Sequence, residues 1–514
     1  MVRHRTENMA DPARATGDRR IRRIVIVGGG TAGWVAASIL ARALPGFGCT
    51  ITIVESPDIP TVGVGEATIP PFIDLLRFLS IDQVDFIRHT QATYKLGIRF
   101  DDWRRVGESY WHPFGTLGLP INRRPFIHAW HKARADKIAL ELADYSACTR
   151  LGEQGRFLAG DAATKAGVKH ALHFDAALVA EYLRAYAQAL GVVRLERTVS
   201  CVTRRDDGFL DELILDGGER LAGDLFIDCT GFRALLVEQT LRAGWVDWSD
   251  LLPCDTAIAA PTAARLLRHP FTRASARAAG WRWRIPLQHR TGNGYVYASG
   301  ATTSQAALDD FLAGIDGAPL AEPRVLRFQA GRRSVFWDRN CVAIGLASGF
   351  LEPLESTSIH FAISGAFNLL EHFPDLDFDR ANINAYNAEG VDEIERARDF
   401  IVMHYCLSER DDSDFWRQVR ATPVPDTLRE RIESYRASGR ARPRAGELFS
   451  DLSWFYVLEG LGVRPRAYDP LMDVVPPRQF ADMIARIARE TADACRNAPT
   501  HDAQLPMALS EPRA

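Results

Sequence analysis

The sequence predicts an α/β fold built from a doubly wound core with a parallel sheet, an antiparallel second sheet and a helical C-terminal part. Three observations lead to this prediction. The β-branched run Ile24–Val27 is followed by Gly-x-Gly-x-x-Gly and then by a helical pattern. Alternating strands reappear from about residue 250 to residue 336. From roughly residue 378 onward, helical periodicity dominates.

The glycine motif predicts a dinucleotide-binding turn between the first strand and the first helix. Gly28 permits the turn, Gly30 lets the backbone approach a pyrophosphate, and Gly33 lets the helix lie close to the strand. A second strand, Ile51–Val54, ends in Glu55, whose carboxylate can accept the hydroxyls of an adenosine ribose. A purely structural glycine turn is the alternative. The predicted contacts in this region are Gly28, Gly30, Thr31, Ala32, Gly33 and Glu55.

Composition limits the class of protein. The chain has 514 residues, 46% hydrophobic residues and a net charge of −3, so it can bury large cores and has no basic excess that calls for nucleic acid. Its eight cysteines form no Cys-x-x-Cys pair, which argues against a metal site or a disulfide framework and fits a reducing cytoplasm. No apolar run is long enough to span a membrane. The polar, arginine-rich residues 1–20 suggest a disordered arm.

The region after the second strand is expected to alternate loops and helices. Closely spaced glycines predict a loop over Thr61–Pro70. Apolar residues on one helical face predict a helix at Phe72–Leu79, and Ser80 with Gln83 resembles a capping box that starts a packed second helix toward Lys95. The aromatic, glycine and proline-rich segment Trp103–Phe126 suggests an irregular wall or lid and not a sheet.

Later segments return to the core. A helix is predicted after Asp175, followed by a β excursion with turns near residues 206–208 and 216–218. The strand Leu225–Cys229 ends near Asp228 and Gly231 and is expected beside the first strand, at the adenosine end of the cofactor. The strand Cys341–Gly345 leads through Leu346 into a loop and another helix.

One fingerprint at the start of the fold, with matching strands hundreds of residues later, indicates a cofactor enclosed by discontinuous segments. This layout favours FAD over NAD, and the lack of a second fingerprint suggests that no internal nicotinamide domain supplies electrons. We therefore expect an FAD-binding, Rossmann-like core. Further expected cofactor contacts are Gly65, Glu66, Ala67, Asp228, Gly231, Gly345 and Leu346. We expect a discontinuous FAD-binding and substrate module over residues 21–375 and a mostly helical part over 376–514 that completes the substrate pocket.

Four motifs together resemble the flavin-dependent tryptophan halogenase family. They are Gly28–Trp34, Gly63–Pro70, Trp281-x-Trp283-x-Ile285-Pro286 and Phe350–Thr357, and the likeness spans about residues 22–465. The resemblance implies reduced FAD supplied by a separate, transiently bound flavin reductase and converted by oxygen to a C4a-hydroperoxide. Halide, chloride or bromide, attacks the distal oxygen. Hypohalous acid then passes through a tunnel to a lysine, and a glutamate takes the proton from the arene.

The resemblance also implies roles for particular residues. It makes Lys95 the lysine and Glu355 the glutamate, although each alone would be an ordinary lysine or helix-leading acid. Thr357 and Ser358 would hold halide at a helix N-terminus, with simple N-capping as the alternative; glycine commonly stands where Ser358 does, which leaves the halide preference open. The flavin shield would comprise Trp281, Trp283, Ile285 and Pro286, and the substrate pocket His112, Pro113, Phe114, Trp454 and Phe455.

The largest departure from the family pattern lies late in the chain. Trp454-Phe455 replaces the tyrosine pair of tryptophan-specific members, and the tail from Arg466 is unrelated, so the clamp for an amino acid is expected to be missing. We therefore interpret the chain as a cytoplasmic FAD-dependent halogenase acting on indole or another electron-rich arene. An aromatic hydroxylase and a non-catalytic flavin-binding protein are the alternatives. The native substrate, the regiochemistry and the choice between monomer and homodimer stay open.

Overall fold

The computed structural model describes residues 18–59 and 65–506. The strands are β1 Arg23–Val27, β2 Thr50–Glu55, β3 Gly65–Ala67, β4 Thr93–Lys95, β5 Gly97–Asp101, β6 Ser109–Pro113, β7 Ala171–Asp175, β8 Val193–Glu196, β9 Val199–Arg204, β10 Leu210–Leu215, β11 Arg220–Ala222, β12 Leu225–Asp228, β13 Trp245–Asp247, β14 Thr256–Ala263, β15 Thr272–Arg277, β16 Gly280–Pro286, β17 Arg290–Tyr297, β18 Arg324–Arg327, β19 Gly331–Arg333, β20 Trp337–Asp338, β21 Cys341–Ala343 and β22 Gly349–Phe350.

The α-helices alternate with strands in the first part of the chain and dominate its C-terminal part. They are α1 Thr31–Ala43, α2 Pro71–Phe78, α3 Gln83–Thr90, α4 Phe126–Ala135, α5 Ala147–Glu153, α6 Gly160–Lys165, α7 Ala176–Ala189, α8 Ser304–Ala313, α9 Ser358–Glu371, α10 Arg380–Cys406, α11 Asp414–Ala421, α12 Asp426–Ser438, α13 Asp451–Gly460, α14 Pro477–Arg496 and α15 His501–Gln504. No helix in the described ranges is both long and apolar enough to cross a membrane.

The core sheet has six strands in the order β20-β21-β12-β1-β2-β8, and all its pairs are parallel except β20 with β21. Val27 of β1 aligns with Val54 of β2 and with Asp228 of β12, so the carboxyl ends of these strands meet at one edge. Helix α1 packs against α7 and α9. The predicted placement of the Leu225–Asp228 strand beside the first strand is confirmed, as is the α/β class with its helical C-terminal part.

The second sheet has seven strands in the order β18-β14-β17-β16-β15-β5-β6. It is antiparallel except where β15 pairs with β5. The prediction that Trp103–Phe126 contains no sheet is wrong, because Ser109–Pro113 forms β6, with His112 aligned to Ile98 of β5. Pairing to a strand elsewhere in the chain decided this structure, and local composition could not reveal that partner.

Two other local predictions are corrected by a small sheet in the order β3-β7-β4. Gly65–Ala67, expected to be loop, pairs with β7, while residues 61–64 of that expected loop lie outside the described residues. Helix α3 ends at Thr90, so Lys95 lies on strand β4, not near a helix end. The N-cap of α3 is Asp82, whose carboxylate accepts the Asp85 N–H at 2.8 Å, and the predicted capping box at Ser80 does not form.

The predicted disordered arm falls mostly outside the described residues. Its last three residues are described. Arg19 forms ion pairs with Asp375 and Asp377, and the backbone of Arg20 forms an isolated antiparallel β-bridge with Asp375. These contacts attach Arg19 and Arg20 to the loop before α10.

Candidate active site

A cavity of about 550 Å³ opens at the carboxyl edge of the core sheet. Most of the predicted cofactor contacts line it: Gly28, Gly30, Thr31, Ala32, Glu55, Gly65, Glu66, Ala67, Gly231, Gly345 and Leu346. Gly33 and Asp228 lie behind its wall. A Cβ on Gly33 would stand 1.9 Å from the Gly28 carbonyl oxygen. The Asp228 carboxylate accepts hydrogen bonds from the backbone N–H groups of Thr230, Leu236 and Val237. It therefore holds the segment that follows β12 and does not face the cavity.

The shape of the cavity fits a dinucleotide. Gly28 has φ +110°, and a Cβ there would collide with the Cys229 carbonyl oxygen at 2.3 Å, so the turn requires glycine. Beside Gly30, by contrast, nothing lies within 4 Å of an added Cβ. Gly30 is also the N-cap of α1 and has no side-chain cap, so free N–H groups face this open space, as a pyrophosphate requires. Glu55 is ion-paired with Arg194 of β8 at the same edge.

Lys95 is fully buried beside this cavity. Its Nζ donates hydrogen bonds to the Thr68 carbonyl oxygen and to Oγ of Ser356, both at 2.9 Å. The ring of Phe114 has its centroid 5.4 Å from the same nitrogen. Burial lowers the pKa of Lys95 to about 7, and the negative charge of Glu355 acts in the opposite direction. Near neutral pH the amine is therefore available in both protonation states.

Glu355 lies in a short 3₁₀ turn, Pro353–Glu355, and is 1% exposed. Its Oε2 is 2.8 Å from Nδ1 of His112, and its Oε1 is 3.0 Å from Nε2 of His404. Burial alone would raise the pKa of Glu355, but the facing histidines, His112 first, outweigh it and lower the pKa to about 2. The carboxylate is thus ionised at neutral pH.

The start of α9 faces the flavin-sized cavity. Ser356, with φ +60°, and Ser358 both line the cavity. Thr357 is the N-cap of α9, is fully buried and makes no side-chain cap, and within the described ranges its Oγ1 has no hydrogen-bond partner. The first N–H groups of this 14-residue helix are therefore not capped by the Thr357 hydroxyl, as an anion site requires.

The predicted tryptophan wall lies on β16, an inner strand of the seven-stranded sheet. Trp283 and Ile285 line the cavity, whereas Trp281 is buried behind them with its ring centroid 6.1 Å from that of Trp283. The Trp281 Nε1–H donates to Oε2 of Glu352 at 2.7 Å, and the Tyr405 hydroxyl donates to the same oxygen at 2.6 Å. Burial raises the pKa of Glu352 to about 7. Glu352 lies within the Phe350–Thr357 motif, but no local pattern could identify it as the partner of Trp281, which is 71 residues away in the chain.

Pro286, at the end of β16, is hydrogen-bonded to β4, the strand that carries Lys95. Its carbonyl oxygen accepts the hydroxyl of Thr93, which lies on β4, at 2.6 Å. Its neighbour in the predicted shield, Ile285, packs with Ala67 of β3 and Leu287. The four predicted shield residues therefore connect the flavin cavity to the strand that carries Lys95.

Aromatic residues cluster near Lys95 and Glu355. Phe114 packs with Ile69, Ala171 and Leu448, and its neighbour Pro113 pairs with Gly97. Phe449 is 6.1 Å from His112 and stacks face to face on Phe400 at 3.8 Å. Trp454 meets Phe400 edge-on at 4.9 Å.

Phe455 does not join this cluster. It packs instead on Trp130 and His131, with both centroids at 5.5 Å. Consecutive residues on a helix point in directions about 100° apart, so α13 can direct only one of the pair toward Glu355.

Sequence reasoning missed four residues of this region: Tyr110, Phe400, His404 and Phe449. Phe400 and His404 are four residues apart on α10, so they lie on one helical face. That spacing could have marked His404 as part of a functional face, but it also fits an ordinary core position. The partners of His404 come from β6 and from the turn before α9, which no local pattern connects.

The comparisons with known proteins agree with this geometry. The tryptophan halogenase family model matches residues 23–477. The chain is 35% identical to tryptophan 7-halogenase RebH of Lentzea aerocolonigenes over 93% of this chain and 96% of that protein. It resembles the solved structure of Xcc4156, a flavin-dependent halogenase from Xanthomonas campestris, with TM-score 0.92 and 42% identity over 96% of this chain and 100% of that one.

A second solved structure gives the same result. BrvH, a flavin-dependent halogenase from Brevundimonas sp. BAL3, superposes with TM-score 0.90 and 42% identity over 95% of this chain and 99% of that chain. The agreement covers both the nucleotide cavity and the segment that carries Glu355. The chain belongs to the tryptophan halogenase family and is a flavin-dependent halogenase.

Proposed function

We propose that this halogenase uses chloride or bromide to halogenate an indole-type arene, with Lys95 and Glu355 as its catalytic residues. One observation carries the proposal: Ser356 lines the flavin-sized cavity and accepts a hydrogen bond from buried Lys95, and its chain neighbour is buried Glu355. This arrangement links the cofactor cavity, the amine and the carboxylate through three residues. A halogen passed to Lys95 therefore arrives next to a base.

The cofactor in this proposal is FAD in its reduced form, delivered by a separate flavin reductase. When bound, reduced FAD supplies the two electrons that let oxygen oxidise halide. The β1–α1 turn would hold its pyrophosphate, and Glu55 would accept hydroxyls of its ribose. All eight cysteines are free, which supports a reducing cytoplasm as the location.

Halide would bind at the N-terminus of α9, where Thr357 and Ser358 leave N–H groups free. The Trp281–Pro286 strand would keep the arene away from the flavin while letting hypohalous acid reach Lys95. There the amine holds the acid by a hydrogen bond and directs the electrophilic halogen. Its pKa of about 7 lets it donate that hydrogen bond and also return a proton to the departing oxygen.

Glu355 would stabilise the cationic ring that follows halogen transfer and accept its proton. The carboxylate is ionised and buried, so its attraction for a cation is little screened by water. His112 holds Oε2, which fixes the orientation of the carboxylate.

The surroundings of Trp454 support an arene without an amino-acid tail. Arg431 lies over the Trp454 ring at 4.4 Å, but its guanidinium is engaged by both oxygens of Glu447 at 2.6 and 2.7 Å. Arg396 also donates to Glu447. These charged groups are already paired with one another, so they offer no vacant partner for an ammonium or a carboxylate.

The test is product formation with purified protein, a flavin reductase, NADH, FAD, each halide and a panel of arenes, measured by mass spectrometry. A halogenated arene that requires both halide and reductase would support the proposal. A hydroxylated product that forms without halide would instead identify an aromatic hydroxylase. Flavin binding with no product from any arene would leave only the non-catalytic alternative.

A further inference from the structure

The two oxygens of Glu355 differ in a way that the proposed function does not use. Oε2 is hydrogen-bonded to His112, whereas Oε1 lies 3.0 Å from Nε2 of His404. Both Oε1 and Nε2 are buried, and among the described residues neither has an assigned hydrogen-bond partner. Nearly all buried polar atoms in native proteins are hydrogen-bonded. One additional proton between these two atoms would satisfy both.

The other nitrogen of the His404 ring is already engaged. Its Nδ1 lies 2.8 Å from the hydroxyl of Tyr110, whose ring stacks on Phe100 at 4.9 Å. The Tyr110 ring is also held by the end of α13, since a Cβ on Gly460 would stand 2.4 Å from it. Packing therefore fixes Tyr110, and Tyr110 holds Nδ1 of His404 while Nε2 lies 3.0 Å from Oε1 of Glu355.

We propose that His404, oriented by Tyr110, receives the proton that the arene loses, by way of Oε1 of Glu355. This proposal rests on the function proposed above. Nδ1–H of His404 donates to the Tyr110 oxygen, which leaves the Nε2 lone pair free. The arene C–H bond breaks, its electron pair returns to the ring, and the proton binds Oε1 and then Nε2. The carboxylate is restored beside an imidazolium, and no oxidant or reductant is consumed.

Among the charges near His404, the Glu355 carboxylate favours an imidazolium at this position, whereas His112 opposes it. Glu355 faces Nε2, with Lys95 and His112 beyond that carboxylate, and Tyr110 faces Nδ1. Burial lowers the pKa of His404, against the opposing influence of the Glu355 carboxylate, so the ring is neutral at pH 7 and able to accept a proton. Its other neighbours are aromatic rings and carry no charge: Phe100, Trp103 and Phe400. In this proposal His404 acts on the arene only through Glu355, so it is a positioning and proton-holding residue.

The first experiment needs no activity. Nitrogen NMR of histidine-labelled full-length protein identifies the His404 signals by their loss in His404→Gln. We expect a proton on Nδ1 and none on Nε2 at pH 7. A proton on Nε2 at pH 7 would overturn the proposal even if the enzyme halogenates indole, because Nε2 could not then accept another.

The second experiment uses indole deuterated at every ring carbon, with reductase, FAD and bromide. The unmodified enzyme is expected to show a product isotope effect near unity. In His404→Gln we expect product formation to fall roughly 100-fold and a primary isotope effect to appear, because C–H cleavage becomes slow. Flavin reoxidation should stay unchanged, and the loss of activity at low pH that accompanies His404 protonation should vanish. Tyr110→Phe should show the same changes with a loss of about fivefold.

Tyr386→Phe is the matched control. Like Tyr110→Phe it removes a buried tyrosine hydroxyl, in this case one on α10 that donates to the Gly365 carbonyl oxygen at 3.3 Å. It should change neither the isotope effect nor the pH profile. An isotope effect that stays at unity in His404→Gln would contradict the proposal. If the unmodified protein halogenates no arene, the proposed function fails instead, and the NMR result still decides whether Nε2 can accept a proton.

Discussion

The Nζ of Lys95 donates a hydrogen bond to Oγ of Ser356, with 2.9 Å between the two atoms. Ser356 adopts the left-handed conformation that ends the short turn carrying Glu355. A lysine on one strand is thereby fixed relative to a glutamate 260 positions later in the chain. The amine and the carboxylate are therefore held in a fixed position relative to each other.

Lys95→Ala should keep flavin reoxidation while reducing halogenated product at least about 100-fold, because the residue that directs the halogen is lost and the cofactor cavity is unchanged. The measurement is oxygen-dependent flavin oxidation alongside product yield. Lys165→Ala, an exposed change at the end of α6, is the control and should leave both values unchanged. Product formation by Lys95→Ala close to the unmodified rate would rule out the assigned role.

Stability should depend on the charge of Lys95. Between about pH 7 and pH 10, the unfolded chain keeps a proton on this lysine that the folded chain has released, so the free energy of unfolding rises with pH in that window. Lys95→Met removes the amine and therefore removes this loss of stability. At pH 7 the cofactor-free variant should be more stable than the unmodified protein by at most about 4 kcal/mol, and the difference should shrink toward pH 10. Urea unfolding of both proteins at the two pH values measures it. A difference that is constant with pH would mean that Lys95 is not buried in its neutral form.

The isolated chain should bind FAD and yet fail to oxidise NADH. Its single glycine fingerprint opens onto the flavin-sized cavity, which leaves no second fingerprint for a nicotinamide nucleotide. Absorbance at the NADH band measures turnover with and without added reductase. Steady NADH oxidation by the protein alone, after contaminating reductase is removed, would contradict the prediction.

Indole should be a better substrate than free tryptophan by roughly 10- to 100-fold in kcat/KM. A zwitterion must leave its hydration behind on entering an aromatic pocket, and the charged groups near Trp454 are already paired with each other. Specificity constants for both substrates under saturating reductase provide the measurement. A clear preference for tryptophan would reveal a clamp in the altered C-terminal segment.

Bromide should be used faster than chloride, because it sheds water more easily and Ser358 adds a hydroxymethyl group at the start of α9. Ser358→Gly should bring the two halides closer together. Competition between equal concentrations of the two salts, with products quantified by mass, gives the ratio directly. An unchanged ratio in Ser358→Gly would show that this side chain does not contact the halide.

Much of the fold could be predicted from local signals. The strand, glycine turn and helix around Gly28 depend on backbone geometry that only a few residue types allow, and Gly28 itself has φ +110°. The helix at Phe72 is equally local, since its buried face follows the 3.6-residue period. By contrast, β6 and β4 were missed because each depends on a partner strand distant in the chain.

The sequence by itself determined the nucleotide turn, the α/β class and the presence of Lys95 and of Glu355, the latter within the Phe350–Thr357 motif, because each is carried by a few chemically distinctive residues. Only the tertiary structure decided what those two side chains can do. It buried Lys95 on a strand, which lowers its pKa, and it brought His112 from β6 and His404 from α10 to opposite oxygens of Glu355. It also turned Trp454 toward that site and Phe455 away. Protonation and orientation depend on burial and on contacts between distant segments, and no local pattern in a chain encodes either.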